Sequence, residues 1–183
     1  MEHGIYYQNF AGKMMNKIML ILIFVLCSAP DISISGTFAT WEGLEPDKLA
    51  SIWLIQKFIS QDSDIVFYPH GTKINSGIVF DTPYSKIRRR YNQSSFEALM
   101  DHYRITDPKL DTMAKLIHDM EINIWEHKRF KLTHDLELFF ITLLDTVKER
   151  EKIIQKASAY FDALYKRLPA GLVPTAPPSS LGP

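Results

Sequence analysis

Lys86-Ile-Arg-Arg-Arg90 is the densest positive cluster in the chain. Each arginine fork offers two parallel donors to two oxygens, so the run matches a tetrahedral oxyanion better than lysines alone would. A helix is predicted to start just beyond it, after Ser94, and its free amide groups would add donors to the same anion. Lys86, Arg88, Arg89 and Arg90 are therefore candidate ligands for a small oxyanion. The same run would serve equally as a solvated basic loop.

His118-Asp119, with Glu121 two residues on, sets an imidazole and carboxylates together at a helix end. That donor set suits a divalent metal, and Asp81, Glu97 or Glu151 could complete it once folded. No two histidines have the four-residue helical spacing, and His118 fits as well at the border of a core or as a cation at a helix C-terminus. Asp47, Asp81 and Glu97 are the remaining acidic candidates. Gathered with Arg88 or Arg89 they would form a polar binding pocket, and with the His118 imidazole they could serve a metal-dependent enzyme. Each also has an ordinary duty: Asp47 and Glu97 as helix-start residues, Asp81 in the turn Asp81-Thr-Pro83. There is no glycine-rich phosphate loop, no GxSxG elbow and no HExxH.

Apolar residues at helical spacing supply the elements that must position these groups. Glu45-Pro46-Asp47 opens a helix over about 46–60, with Leu49, Ile52, Trp53 and Ile59 on one face. Asp64–Pro69 and Gly77–Asp81 read as short strands with turn material between them, a hairpin or a small sheet. Ser94-Ser-Phe-Glu97 has capping-box spacing and predicts a helix over about 95–103. Asp107-Pro108 starts a helix ending near Asp119. Thr133 is the predicted cap of the next helix, whose stripe runs from Leu136 to Val147, and a last amphipathic segment covers about 149–168. Periodicity allows these two to be one helix, with the charged stretch Lys148–Lys152 as the expected break. The fold class is mainly α with a small β element (α+β), one domain of about five helices.

Ile18–Cys27 is an unbroken apolar run with Lys13 and Lys17 upstream and small residues downstream, the layout of an export signal. It is shorter than the roughly 20 residues a membrane span needs. Thr37 and Ala39 stand at small-residue positions, so the expected cut follows Ala39; Pro30 disfavours a cut after Ala29, and bulky Leu26 disfavours lipidation at Cys27. Residues 1–39 are read as the leader, with 1–13 a possible unused extension before Met14 and Met15. A buried N-terminal helix or an uncleaved anchor is the alternative. On the first reading the protein is exported, periplasmic or extracellular, with no membrane span left after cleavage. The domain covers 40–168, and the proline-rich stretch 169–183 is a disordered tail. The remaining 19 basic and 19 acidic residues form no broad basic field for nucleic acid. Cys27 is the only cysteine, which leaves the domain no disulfide and no thiolate.

Asp47-Lys-Leu-Ala-Ser-Ile-Trp-Leu-Ile-Gln-Lys-Phe-Ile59, Phe67-Tyr-Pro69, Phe80-Asp-Thr-Pro83, Ser95-Phe-Glu97, Asp107-Pro-Lys-Leu110 and Tyr160-Phe-Asp-Ala-Leu-Tyr165 occur in this order. Together they resemble the bacterial chromate-resistance family, which includes the C-terminal domain of the ChrB regulator and stand-alone exported members. The resemblance implies a role in lowering chromate accumulation or in sensing chromate, usually beside a chromate efflux transporter. It implies no settled reaction. Many members carry cysteine in the segment matching Ser51 and at Ser94, and histidine near Arg89. This chain departs at all three, so thiol chemistry on chromate is closed to it. The expectation is a protein that binds an oxyanion or a metal ion rather than an enzyme. A metal-dependent enzyme and an envelope interaction module are the rivals.

Overall fold

The structure is a computed structural model and describes residues 36–123 and 127–171. The expected leader therefore lies almost wholly outside the described residues. The elements run β1 (Phe38–Trp41), α1 (Pro46–Leu54), a π turn (Ile55–Ile59), β2 (Ile65–Tyr68), β3 (Ile78–Val79), α2 (Ser95–Tyr103), α3 (Pro108–Glu121), α4 (Lys131–Thr146) and α5 (Arg150–Arg167). Among the described residues this is α+β: five α-helices and a small three-stranded sheet.

The two expected strands do not form a hairpin. They lie on either side of β1, in the order β2-β1-β3, and both pairings are parallel, with Ala39 opposite Val66 on one edge and Val79 on the other. A parallel pair needs a crossover, and α1 supplies it between β1 and β2. Gly77 sits at the close approach to β1: its φ is +77°, and a Cβ there would come 2.7 Å from the Thr37 carbonyl oxygen.

Phe38 and Ala39 are completely buried in the central strand. Cleavage after Ala39 would remove the first two of the four residues of β1.

Proline at the first position and an acidic first turn start α1 as expected, and everything from Asp47 to Leu54 is buried. Trp53 packs against Phe58, Phe161 and Tyr165, and its indole N–H donates to Asp162 Oδ1 at 3.0 Å. The α2 capping box forms as its spacing implies, and Asp107 caps α3. At α4 the expected cap fails. Thr133 is a buried helical residue, and Asp119 from α3 accepts from the Arg129 and Phe130 amides and from the Thr133 hydroxyl. The α4 and α5 segments are separate helices, broken where Val147 turns extended. Phe139 stacks on Tyr160 at 3.9 Å to close that hairpin. The expected tail is tied down at its start, because the Gly171 amide donates to the Thr112 hydroxyl at 3.0 Å, with the Pro169 carbonyl 3.3 Å from the same oxygen. Residues 172–183 lie outside the described residues, and among the described residues no helix is long and apolar enough to cross a membrane.

Candidate functional site

The carboxyl ends of the three parallel strands open into one cleft of about 420 Å³. Trp41 and Glu42 follow from β1, His70 from the turn after β2, and Asp81, Thr82 and Pro83 from β3. Glu45 and Lys48 enter from the start of α1, and Arg88 and Arg89 from the loop before α2. In open parallel sheets the crevice beyond the carboxyl ends, where strand order reverses, is the usual place for a ligand. The order β2-β1-β3 reverses at β1.

Local chemistry builds the loop. Asp81 takes a left-handed conformation (φ +50°), which aspartate tolerates better than most side chains. Its amide donates to the Ile87 carbonyl at 2.8 Å, and the Ser85 hydroxyl donates to the Thr82 and Ile87 carbonyls. With Ile87 buried as the plug, Arg88 and Arg89 emerge beside the strand ends.

Arg89 is the hub of a partly buried ion network. Its Nε lies 3.4 Å from Asp47 Oδ2, and its Nη2 bonds Glu121 and approaches Glu45 at 3.8 Å. These neighbours outweigh the cost of burial, and Arg89 is held even more firmly protonated than an ordinary guanidinium. Asp47, 1% exposed, also accepts from the Ser95 amide at 2.7 Å and the Phe96 amide at 3.0 Å. Burial, followed by the charge of Asp81, pushes its carboxyl up to about 7 against those donors. Asp81 accepts from the Ser95 hydroxyl and has the Lys48 ammonium 3.5 Å from Oδ2. Burial raises Asp81 and Glu121 as well. Lys48 is itself buried, donating to the Trp41 carbonyl at 2.9 Å.

Arg88 differs from its neighbour. Its Nη1 donates to the Ser85 carbonyl at 2.7 Å, and it has no carboxylate partner among the described residues. Thr82 beside it is 2% exposed, and its Oγ1 has no hydrogen-bond partner. Trp41 forms an aromatic wall, its N–H on the Thr72 carbonyl and its ring 4.5 Å from that of His70.

The candidate residues thus divide. Arg88, Arg89 and Asp81 line the cleft, and Asp47 lies directly behind it. Lys86 and Arg90 are exposed outside it, with Arg90 held by Gln93 and the Lys86 carbonyl. The amides at the start of α2, expected to receive an anion, are taken by Asp47 and by Ser94.

Glu97 belongs to a second location. It completes the capping box and pairs with His118 Nδ1 at 3.0 Å, facing a groove with Lys115 and Asn123. His118 is therefore paired with Glu97 and not with Asp119, whose oxygens are occupied in capping α4. Hydrogen bonds from the Arg129 amide, Asn123 and Thr133 overcome the effect of burial and hold Asp119 below the usual carboxylate range. Among the described residues no three His, Cys, Asp or Glu side chains cluster as a metal site. The four groups an enzyme was expected to use fall into two pairs, Asp47 with Asp81 and Glu97 with His118.

Ser51 and Ser94 also have separate roles. Ser94 is the α2 cap, whereas Ser51 is buried within α1 with its hydroxyl unpartnered.

Fold and cleft together define a small α+β domain with a charged crevice at the carboxyl edge of its parallel strands. The family profile of the ChrB C-terminal domain matches residues 38–168, from the first residue of β1 to the residue closing α5, and the chain belongs to that family. This is the chromate-resistance grouping its motifs resemble. No curated protein and no solved structure matches the chain.

Proposed function

We propose that this chromate-resistance protein binds a small tetrahedral oxyanion, chromate or a close mimic, in the cleft at the strand ends, and acts by holding the ion rather than by turning it over. The observation that carries this reading is Arg88: a guanidinium on the cleft wall with one carbonyl partner and no carboxylate to neutralise it. Such a group keeps most of its five donors for a ligand, and its fork matches two oxygens of a tetrahedral ion. The only cysteine, Cys27, lies upstream of the matched domain, so direct thiol reduction has no support in the cleft. Export, and work beside an efflux transporter, are part of the same proposal and rest on the apolar run Ile18–Cys27 and on family membership.

The test is calorimetric titration of chromate into the wild type, Arg88→Gln and Arg90→Ala. The reading expects binding that Arg88→Gln abolishes and Arg90→Ala preserves. Binding that survives Arg88→Gln, or no binding in the wild type, overturns it. Stoichiometric metal on the purified protein that is lost in His118→Ala would replace it with the metal-dependent reading.

A further inference from the structure

We infer, resting on the oxyanion reading of the cleft, that it selects tetrahedral oxyanions that still carry a proton and a single negative charge, such as hydrogen chromate or dihydrogen phosphate, over fully deprotonated dianions such as sulfate.

The argument is one of charge and acceptors. The cleft wall carries Lys48, Arg88 and Arg89 against Glu42, Glu45 and Asp81, and Asp47 and Glu121 stand directly behind Arg89. With Glu42 matched by Arg150 outside the cleft and Asp47, whose carboxyl is pushed up to about 7, protonated at pH 6, three cations face the three carboxylates of Glu45, Asp81 and Glu121. Glu42 pairs outward with Arg150 at 3.2 Å, Lys48 is held by Asp81, and Arg89 is shared among three acids. Arg88 alone remains to neutralise a ligand, enough for one negative charge and not for two. Burial is the first cause that holds Asp47, Asp81 and Glu121 above the ordinary carboxylate range, while Lys48 and Arg89 pull Asp81 and Glu121 back down.

The second point is directional. Asp81 Oδ1 is occupied by the Ser95 hydroxyl, but Oδ2 has only the Lys48 ammonium at 3.5 Å. An ionised carboxylate can only accept hydrogen bonds. A protonated oxyanion beside Arg88 donates its O–H to Asp81 Oδ2, while a dianion without a proton meets two negative oxygens face to face.

The test measures phosphate, chromate and sulfate binding at pH 6 by calorimetry, on the wild type, Asp81→Asn and Arg88→Gln. Phosphate and chromate keep a proton there and sulfate does not. The wild type is expected to prefer phosphate and chromate over sulfate by on the order of tenfold or more, the worth of one charge-assisted hydrogen bond. Asp81→Asn is expected to narrow that gap by strengthening sulfate. Asparagine tolerates the left-handed backbone at this position and still accepts from Ser95, and an unchanged melting curve confirms that the variant folds. Equal binding of sulfate and phosphate by the wild type, or an unchanged gap in Asp81→Asn, overturns the selectivity while Arg88-dependent binding leaves the oxyanion site standing. No binding of any of the three ions overturns the site and the selectivity together.

Discussion

Replacing Asp47 by asparagine tests the partly buried network behind the cleft through its pH dependence. In the folded protein the carboxyl titrates at about 7, against 3.8 for the unperturbed group, with burial the first cause and Asp81 the second. Between those values the native state holds a proton that the unfolded chain has released. Its stability contribution is therefore full below about pH 4 and is lost as pH rises through 7. One proton changes stability by roughly 1.4 kcal/mol per pH unit, so Asp47 alone accounts for a fall of about 4 kcal/mol across the window of just over three units. Asp81 and Glu121, also raised by burial, act with the same sign. Asp107, Asp119 and Asp162 are lowered, so their losses come at more acid pH and leave this window alone. The assay is urea denaturation of wild type and Asp47→Asn at half-unit steps from pH 4.5 to 7. Asparagine does not titrate, so the difference between the two curves should slope by about one proton. Parallel curves would refute the reasoning, because they would mean that Asp47 is ionised in both states throughout.

Three further outcomes follow from particular contacts. Asp119→Ala leaves the Arg129 and Phe130 amides and the Thr133 hydroxyl without their acceptor and should cost about 3 kcal/mol in urea denaturation, more than loss of an ordinary exposed cap. Gly77→Ala should destabilise by more than about 1 kcal/mol, since a Cβ would strike the Thr37 carbonyl at 2.7 Å in a backbone conformation alanine avoids; an unchanged melting temperature would contradict the close approach. If the chain is exported, intact-mass analysis of the secreted protein should place its N-terminus upstream of Phe38, and a mature form starting at Thr40 would contradict the role of β1.

What could be read from sequence was what local chemistry decides. The Ser94–Glu97 box, the Asp107-Pro108 start and the Pro46 start each act within a turn of their own helix, and all three stand where their spacing puts them. The strand pairing could not be read the same way. β1 is four residues long, lies in a stretch that also resembles the end of a leader, and pairs with strands far along the chain, so β2 and β3 looked like partners of each other. The α4 cap was misassigned for a related reason: its acceptor, Asp119, comes from the preceding helix, and Thr133 offered the nearer hydroxyl. Residue types singled out Arg88, Arg89, Asp47 and Asp81, which the fold gathers in or behind the cleft, but not the difference between two adjacent arginines, which depends on Glu121 and Glu45 closing around one of them. Lys48 was missed although it sits between Asp47 and Leu49 in a helix with apolar residues on a wide face. A charged pair at the start of such a helix was the available signal. Trp41 and His70 gave none, since only the parallel sheet brings their rings together.

The most direct test of the oxyanion cleft is anomalous diffraction at the chromium edge from crystals soaked in chromate. The account predicts a chromium peak within hydrogen-bonding reach of Arg88, between Trp41 and Thr82. A peak beside the exposed Lys86 and Arg90, or beside His118, with the cleft empty, would contradict it.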